Sequence, residues 1–123
     1  MRRRPLALAW ALLASGCTSV APPPAAFPIR LQALGTEPFW SMTIDRDRVA
    51  YATADQPEKR TATLARREAG GVLGLEGLLD SKAIAVAITH ATCSDGMSDR
   101  SYPYAVVVRI GTQTLEGCAS PGP

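Results

Sequence analysis

The segment Cys93-Ser94-Asp95-Gly96-Met97-Ser98-Asp99-Arg100-Ser101-Tyr102-Pro103 gathers more chemistry than any other stretch of this chain. It holds thiol, hydroxyl, carboxylate, guanidinium and phenol groups within one span. Asp95-Gly96 is a turn signal, because Asp bonds back onto its own backbone and Gly accepts a positive φ. Three chemistries are open to such a set. Asp95 and Asp99 are the residue types that do acid–base work on a glycan. Asp95, Ser98 and Asp99 offer oxygens to calcium, but the ligand count, spacing and closing Glu of an EF-hand are missing. The third reading is a long loop shaped by its own Asx and Ser turns, with Asp99 and Arg100 as a local ion pair. The candidate binding residues of that loop are Ser94, Asp95, Met97, Ser98, Asp99, Arg100 and Tyr102.

A second cluster is Gly35-Thr36-Glu37-Pro38-Phe39-Trp40. Gly and Pro mark a turn, and two aromatics follow it. In a strand, Phe39 and Trp40 point to opposite faces, so one belongs to a core and the other to a rim. Glu37, Phe39 and Trp40 are the candidate binding residues here, since Trp is enriched at interaction hot spots.

Catalytic sets are otherwise absent from the sequence. His90 is the single histidine, it falls in mid-strand, and no G-x-S-x-G surrounds it. Two isolated cysteines and one His do not make a tetrahedral metal set. The expectation is a chain that is not an enzyme and needs no metal or cofactor.

The elements that position these clusters begin with a leader. Arg2, Arg3 and Arg4 precede an apolar run from Leu6 to Ala14, then Ser15 and Gly16, in the layout of a secretory signal. That run is too short for the roughly 20 apolar residues that cross a bilayer as a helix. The three arginines belong to the leader. Without them the 13 basic residues fall to ten against 11 acidic ones, a net charge of −1. No basic footprint for nucleic acid remains. Residues 17–28 include Pro22-Pro23-Pro24 and read as a semi-rigid tether. Residues 29–123 then read as one domain.

Strict alternation governs that domain. Phe39–Ile44 and Val49–Ala54 form a hairpin across a charged turn at Asp45-Arg46-Asp47. Thr61–Arg67 is a weaker strand and Val72–Leu75 a short one after Gly70-Gly71. Lys82–Thr92 sets Ile84, Val86 and Ile88 against Ala83, Ala85 and Ala87. Tyr104–Ile110 and Thr112–Cys118 close the chain. The fold expected is all-β: an antiparallel meander of about seven or eight short strands curled into a small barrel or half-barrel. The last two strands bring Cys118 toward Cys93. In an oxidising compartment such a pair forms a disulfide, and it staples a domain with a thin core.

Small residues before Cys17 resemble the lipobox of bacterial lipoproteins, with Ala14 where Leu is preferred. The resemblance implies a lipid on Cys17, cleavage before it and attachment to a membrane. Two acyl chains suffice for stable anchoring. Thr18, in place of the Asp that retains such lipoproteins in the inner membrane, implies the outer membrane, facing the periplasm. Gly35–Trp40, Cys93–Pro103 and Gly117-Cys118 together resemble a family of uncharacterised bacterial lipoproteins with GTEPFW, C-S-D-G-M-S-D-R-x-Y-P and terminal G-C motifs. That family has no assigned activity. A looser likeness runs to the lysozyme-inhibitor lipoproteins and the META/HslJ-type lipoproteins, small β-rich domains on a lipid tether, although the inhibitors' Tyr-x-Cys pattern is missing. The functional expectation is an envelope lipoprotein that binds a protein or glycan partner without catalysis. Inhibition of c-type lysozyme and a glycan-directed hydrolase are the alternatives.

Overall fold

The computed structural model describes Gly16 and residues 25–123. The leader, Cys17 and the tether up to residue 24 lie outside the described residues.

Among the described residues, nine strands make one antiparallel sheet: β1 (Arg30–Thr36), β2 (Phe39–Asp45), β3 (Arg48–Thr53), β4 (Arg60–Thr63), β5 (Ala65–Ala69), β6 (Val72–Leu79), β7 (Lys82–Ser94), β8 (Ser101–Ile110) and β9 (Gln113–Pro121). Their spatial order is β4-β3-β2-β1-β9-β8-β7-β6-β5. Chain neighbours pair throughout, and β1 pairs with β9 to join the two ends of the meander. The outermost strands, β4 and β5, are consecutive in the chain and separated only by Leu64. β4 pairs with β3, and β5 pairs with β6. One bent stave thus spans the seam, and the sheet is nearly closed into a barrel of eight staves.

The sequence reads Thr61–Arg67 as a single strand, and the break at Leu64 is what alternation conceals. Leu64 is 3 % exposed, and its backbone N–H donates to Asp47 O at 2.7 Å instead of to a ladder partner. Turning its side chain into the core lets the halves on either side serve opposite edges. Closure removes the free edges that an open sheet would present.

Alternation elsewhere holds closely. Trp40, Met42 and Ile44 of β2, Ile84, Val86 and Ile88 of β7, and Val106 and Val108 of β8 all enter the core. Eight staves leave an interior just wide enough for side chains to fill. Two elements exceed the sequence reading. β1 escapes the alternation reading, because Leu31 and Ala33 are its only large or medium inward residues before Gly35. β6 runs on past Leu75 to Leu79, where Gly74 and Gly77 blur the pattern.

The folded unit also starts earlier than Ile29. Phe27 is 6 % exposed and sits in the core cluster. It stacks on His90 with ring centroids 4.2 Å apart and tilts against Tyr104 at 5.4 Å. His90 Nε2 lies 3.0 Å from Ala25 O, and the Arg66 guanidinium donates to Pro28 O at 3.0 Å and Arg46 O at 2.7 Å. Residues 25–28, read from sequence as tether, are therefore docked against the end of the barrel where β1 begins. A Pro-rich composition signals extended backbone but does not reveal that one aromatic within it has a socket.

Candidate functional site

The β7–β8 pair is regular from Ile84↔Ile110 to His90↔Tyr104, then shifts so that Cys93 faces Tyr102. One extra residue on β7 makes this a β-bulge, which bends and twists the ribbon. Pro103 falls at the irregularity, where the lack of an N–H is tolerated. Beyond the bulge the ribbon leaves the barrel as an arm and lies over its outer surface.

Two contacts hold it there. Cys93 and Cys118 form the disulfide expected from sequence, with Cα atoms 5.5 Å apart. Thr36 Oγ1 donates to Asp95 O at 3.3 Å. Cys118 lies beside Ala105 and Leu34 in the register, on the outward face, yet it is 1 % exposed. It is buried by the arm and not by the core, and the same is true of Tyr102. Between arm and sheet runs a groove of about 400 Å³, lined by Leu34, Thr36, Asp95, Ala105, Val107 and Glu116 among others.

The arm's shape is written into its own hydrogen bonds. Asp95 Oδ1 accepts from the N–H groups of Met97 at 3.0 Å and Ser98 at 2.8 Å. Asp95 Oδ2 accepts from Ser98 Oγ at 2.8 Å and Tyr102 Oη at 3.2 Å. Ser94 Oγ accepts from Gly96 N–H, and Ser98 Oγ from Arg100 N–H. Gly96 takes φ 74°, which its lack of a side chain permits. The donors from Ser98 and Met97, then the Ser98 hydroxyl and the Tyr102 phenol, favour the ionised carboxylate and hold the Asp95 pKa down at about 2. Asp99 and Arg100 do not pair with each other. Arg100 instead sits over the Tyr102 ring, 5.6 Å from its centroid.

The two sequence clusters meet at this place. Trp40 faces Gly35 across the β1–β2 ladder, and its Nε1 donates to Glu116 O at 3.3 Å. A Cβ on Gly35 would fall 2.0 Å from Trp40 Nε1, and one on Gly117 would fall 2.0 Å from Leu34 O. The two glycines thus make room for the indole and for the close approach of β9 to β1. Three sequence features that look like separate motifs share one packing problem: seating Trp40 beneath the strand that carries Cys118.

Of the candidate residues, Trp40 must be withdrawn from any binding surface, since it is 1 % exposed. Tyr102 and Asp95 turn inward to build the arm. Glu37, Ser94, Ser98, Asp99 and Arg100 remain exposed. So do Phe39, 53 % exposed and paired in register with Thr36, and Met97, 81 % exposed at the arm's tip. Leu34, Ala105 and Val107 escape the sequence reading, which names Thr36 in its cluster but not among the binding residues. The signal available was Val107, an apolar residue on the outward side of β8, which breaks the alternation where the outer face is covered.

No protein-family model, no curated protein and no solved structure matches this chain.

Proposed function

We propose that the protein is a lipid-anchored envelope lipoprotein, held through Cys17 and facing the periplasm, that binds a protein or glycan partner through the arm and the adjoining Phe39 corner. The observation that carries this reading is the arm itself. The barrel core is complete without residues 94–101, yet those residues are pinned by a disulfide and shaped by a closed set of hydrogen bonds. Pre-ordering of this kind lowers the entropy lost on association. It also presents Met97, an adaptable apolar side chain of the type favoured at binding surfaces, beside the charges of Asp99 and Arg100. The resemblance to uncharacterised lipoproteins with the same motifs is consistent with a role that those motifs share.

The arrangement weighs against Asp95 as the general acid of a glycan hydrolase. A general acid must hold a proton near working pH, whereas Asp95 is kept ionised by four donors from its own arm.

The test is a photo-crosslinking residue placed at position 97 of the full chain in its bacterial host. A discrete adduct is expected. It is lost when residues 94–96 and 98–100 are replaced by Gly and Ser with the crosslinking residue kept at 97 and Cys93 and Tyr102 unchanged, and when Phe39→Asp is introduced. An adduct pattern unchanged by both variants would sink the assignment.

A further inference from the structure

The other end of the barrel, away from the docked Phe27, holds a second concave site. It opens where β2 begins and β3 ends, with a volume of about 770 Å³, inside the range of roughly 300–1,000 Å³ usual for small-molecule sites. Its floor is apolar, formed by Trp40, Leu79 and Leu115, and Phe39 stands at its rim. The barrel beneath is filled, so the site is a basin and not a tunnel.

Two cationic donors, Arg60 and Lys82, and the Tyr51 phenol border this basin, beside Thr53, Gln56 and Gln113. Tyr51 is 3 % exposed as a residue and lines the basin. Arg60 lies over the Tyr51 ring at 5.1 Å and gives one Nη1 hydrogen bond to Asp80 Oδ2 at 3.1 Å. Its side chain keeps 32 % exposure, and Nε is buried with no partner. A guanidinium has five N–H donors, so most of its capacity is unused. Lys82 also lines the basin and has no ion-pair partner among the described residues. Burial pushes the Tyr51 phenol pKa up, against the opposing effect of Arg60, which keeps the hydroxyl a donor. Two carboxylates are present as well. Asp80 is engaged by Arg60, and Asp55 belongs to the β3–β4 loop at the rim.

We infer that this basin binds a small carboxylic acid with an apolar flank, its carboxylate on Arg60, Lys82 and the Tyr51 hydroxyl and its apolar part on the floor beside Phe39. Donors left over around an apolar floor match an acceptor-only group joined to a hydrophobic body. The filled barrel limits the body to a ring or a short chain. The basin shares Phe39 with the corner beside the arm, but Tyr51, Arg60 and Lys82 belong to the basin alone, so changes at those three test it separately from partner binding at the arm.

The probe is benzoate, with benzyl alcohol as its neutral twin, titrated into isotope-labelled full chain held in phospholipid nanodiscs. Benzoate is expected to move the Arg60 Nε–H and the Lys82 amide signals saturably. Benzyl alcohol, lacking the carboxylate, is expected not to saturate. Losing a hydrogen bond to a charged group weakens binding by about tenfold, and Arg60→Gln is expected to show that loss. Lys82→Gln, which removes a charge but keeps an amide donor, and Tyr51→Phe, which removes the hydroxyl, should each weaken benzoate by about threefold. These two variants carry the test if Arg60→Gln does not fold. Equal affinity for the two probes would overturn the inference, as would unchanged benzoate affinity in both Lys82→Gln and Tyr51→Phe.

Discussion

Four donors converge on the two oxygens of Asp95, and all of them come from within seven residues of it. An aspartate in an unfolded chain titrates near 3.9, and here the carboxyl is held at about 2. The ionised form is the one the arm prefers. Its contribution to arm order is therefore complete above about pH 4 and is lost as pH falls through about 2. Backbone order parameters at Met97 and Ser98 are expected to drop over that interval while those of the barrel strands hold. Asp95→Asn should give a loosened arm already at neutral pH, with the acid transition gone. An arm equally ordered in the variant would show that the disulfide alone sets its shape.

The arm depends as an element on a few ties to the barrel: the continuing β7–β8 ribbon, the Cys93–Cys118 bond and the Thr36–Asp95 contact. The disulfide closes a loop with a sequence separation of 25 residues. On the chain-entropy account such a loop stabilises a fold by about 3.5 kcal/mol. Replacing both cysteines by serine is expected to lower the urea midpoint accordingly. It should also release the ribbon beyond the bulge, exposing Tyr102 and the groove floor at Leu34 and Val107. The barrel signals should remain dispersed, because the core cluster contains neither cysteine. If Tyr102 stays buried in the double variant, the bulge and not the disulfide holds the arm down.

The barrel as a whole is closed by two long-range events, β1 meeting β9 and the bent stave at Leu64 bridging β3 and β6. Its lower end is capped by Phe27 on His90 and Tyr104. Removing a buried aromatic leaves a cavity at a cost of about 3 kcal/mol. Phe27→Ala should therefore lower the melting temperature and free the segment from Ala25 to Pro28. A melting temperature unmoved by the change would mean that this segment is tether after all.

Period-two alternation suffices to read β2, β7 and β8, because each turns a row of apolar side chains to one face, but it misses β1, which carries Gly35 and Thr36. The cysteine pair was legible as well, since two thiols left over in a small β-domain have few other roles. Position was not legible where a residue's environment comes from far along the chain. Trp40 looks the same in sequence whether it sits on a rim or under Glu116. Phe27 looks like tether until His90 and Tyr104 supply its socket. Thr61–Arg67 keeps its alternation across a bend that only two competing edges impose. The local pattern fixes which face a side chain takes, because that is a property of the strand. Which faces are covered is decided by closure of the barrel and by the fold-back of the arm, and both rest on contacts between residues distant in the chain.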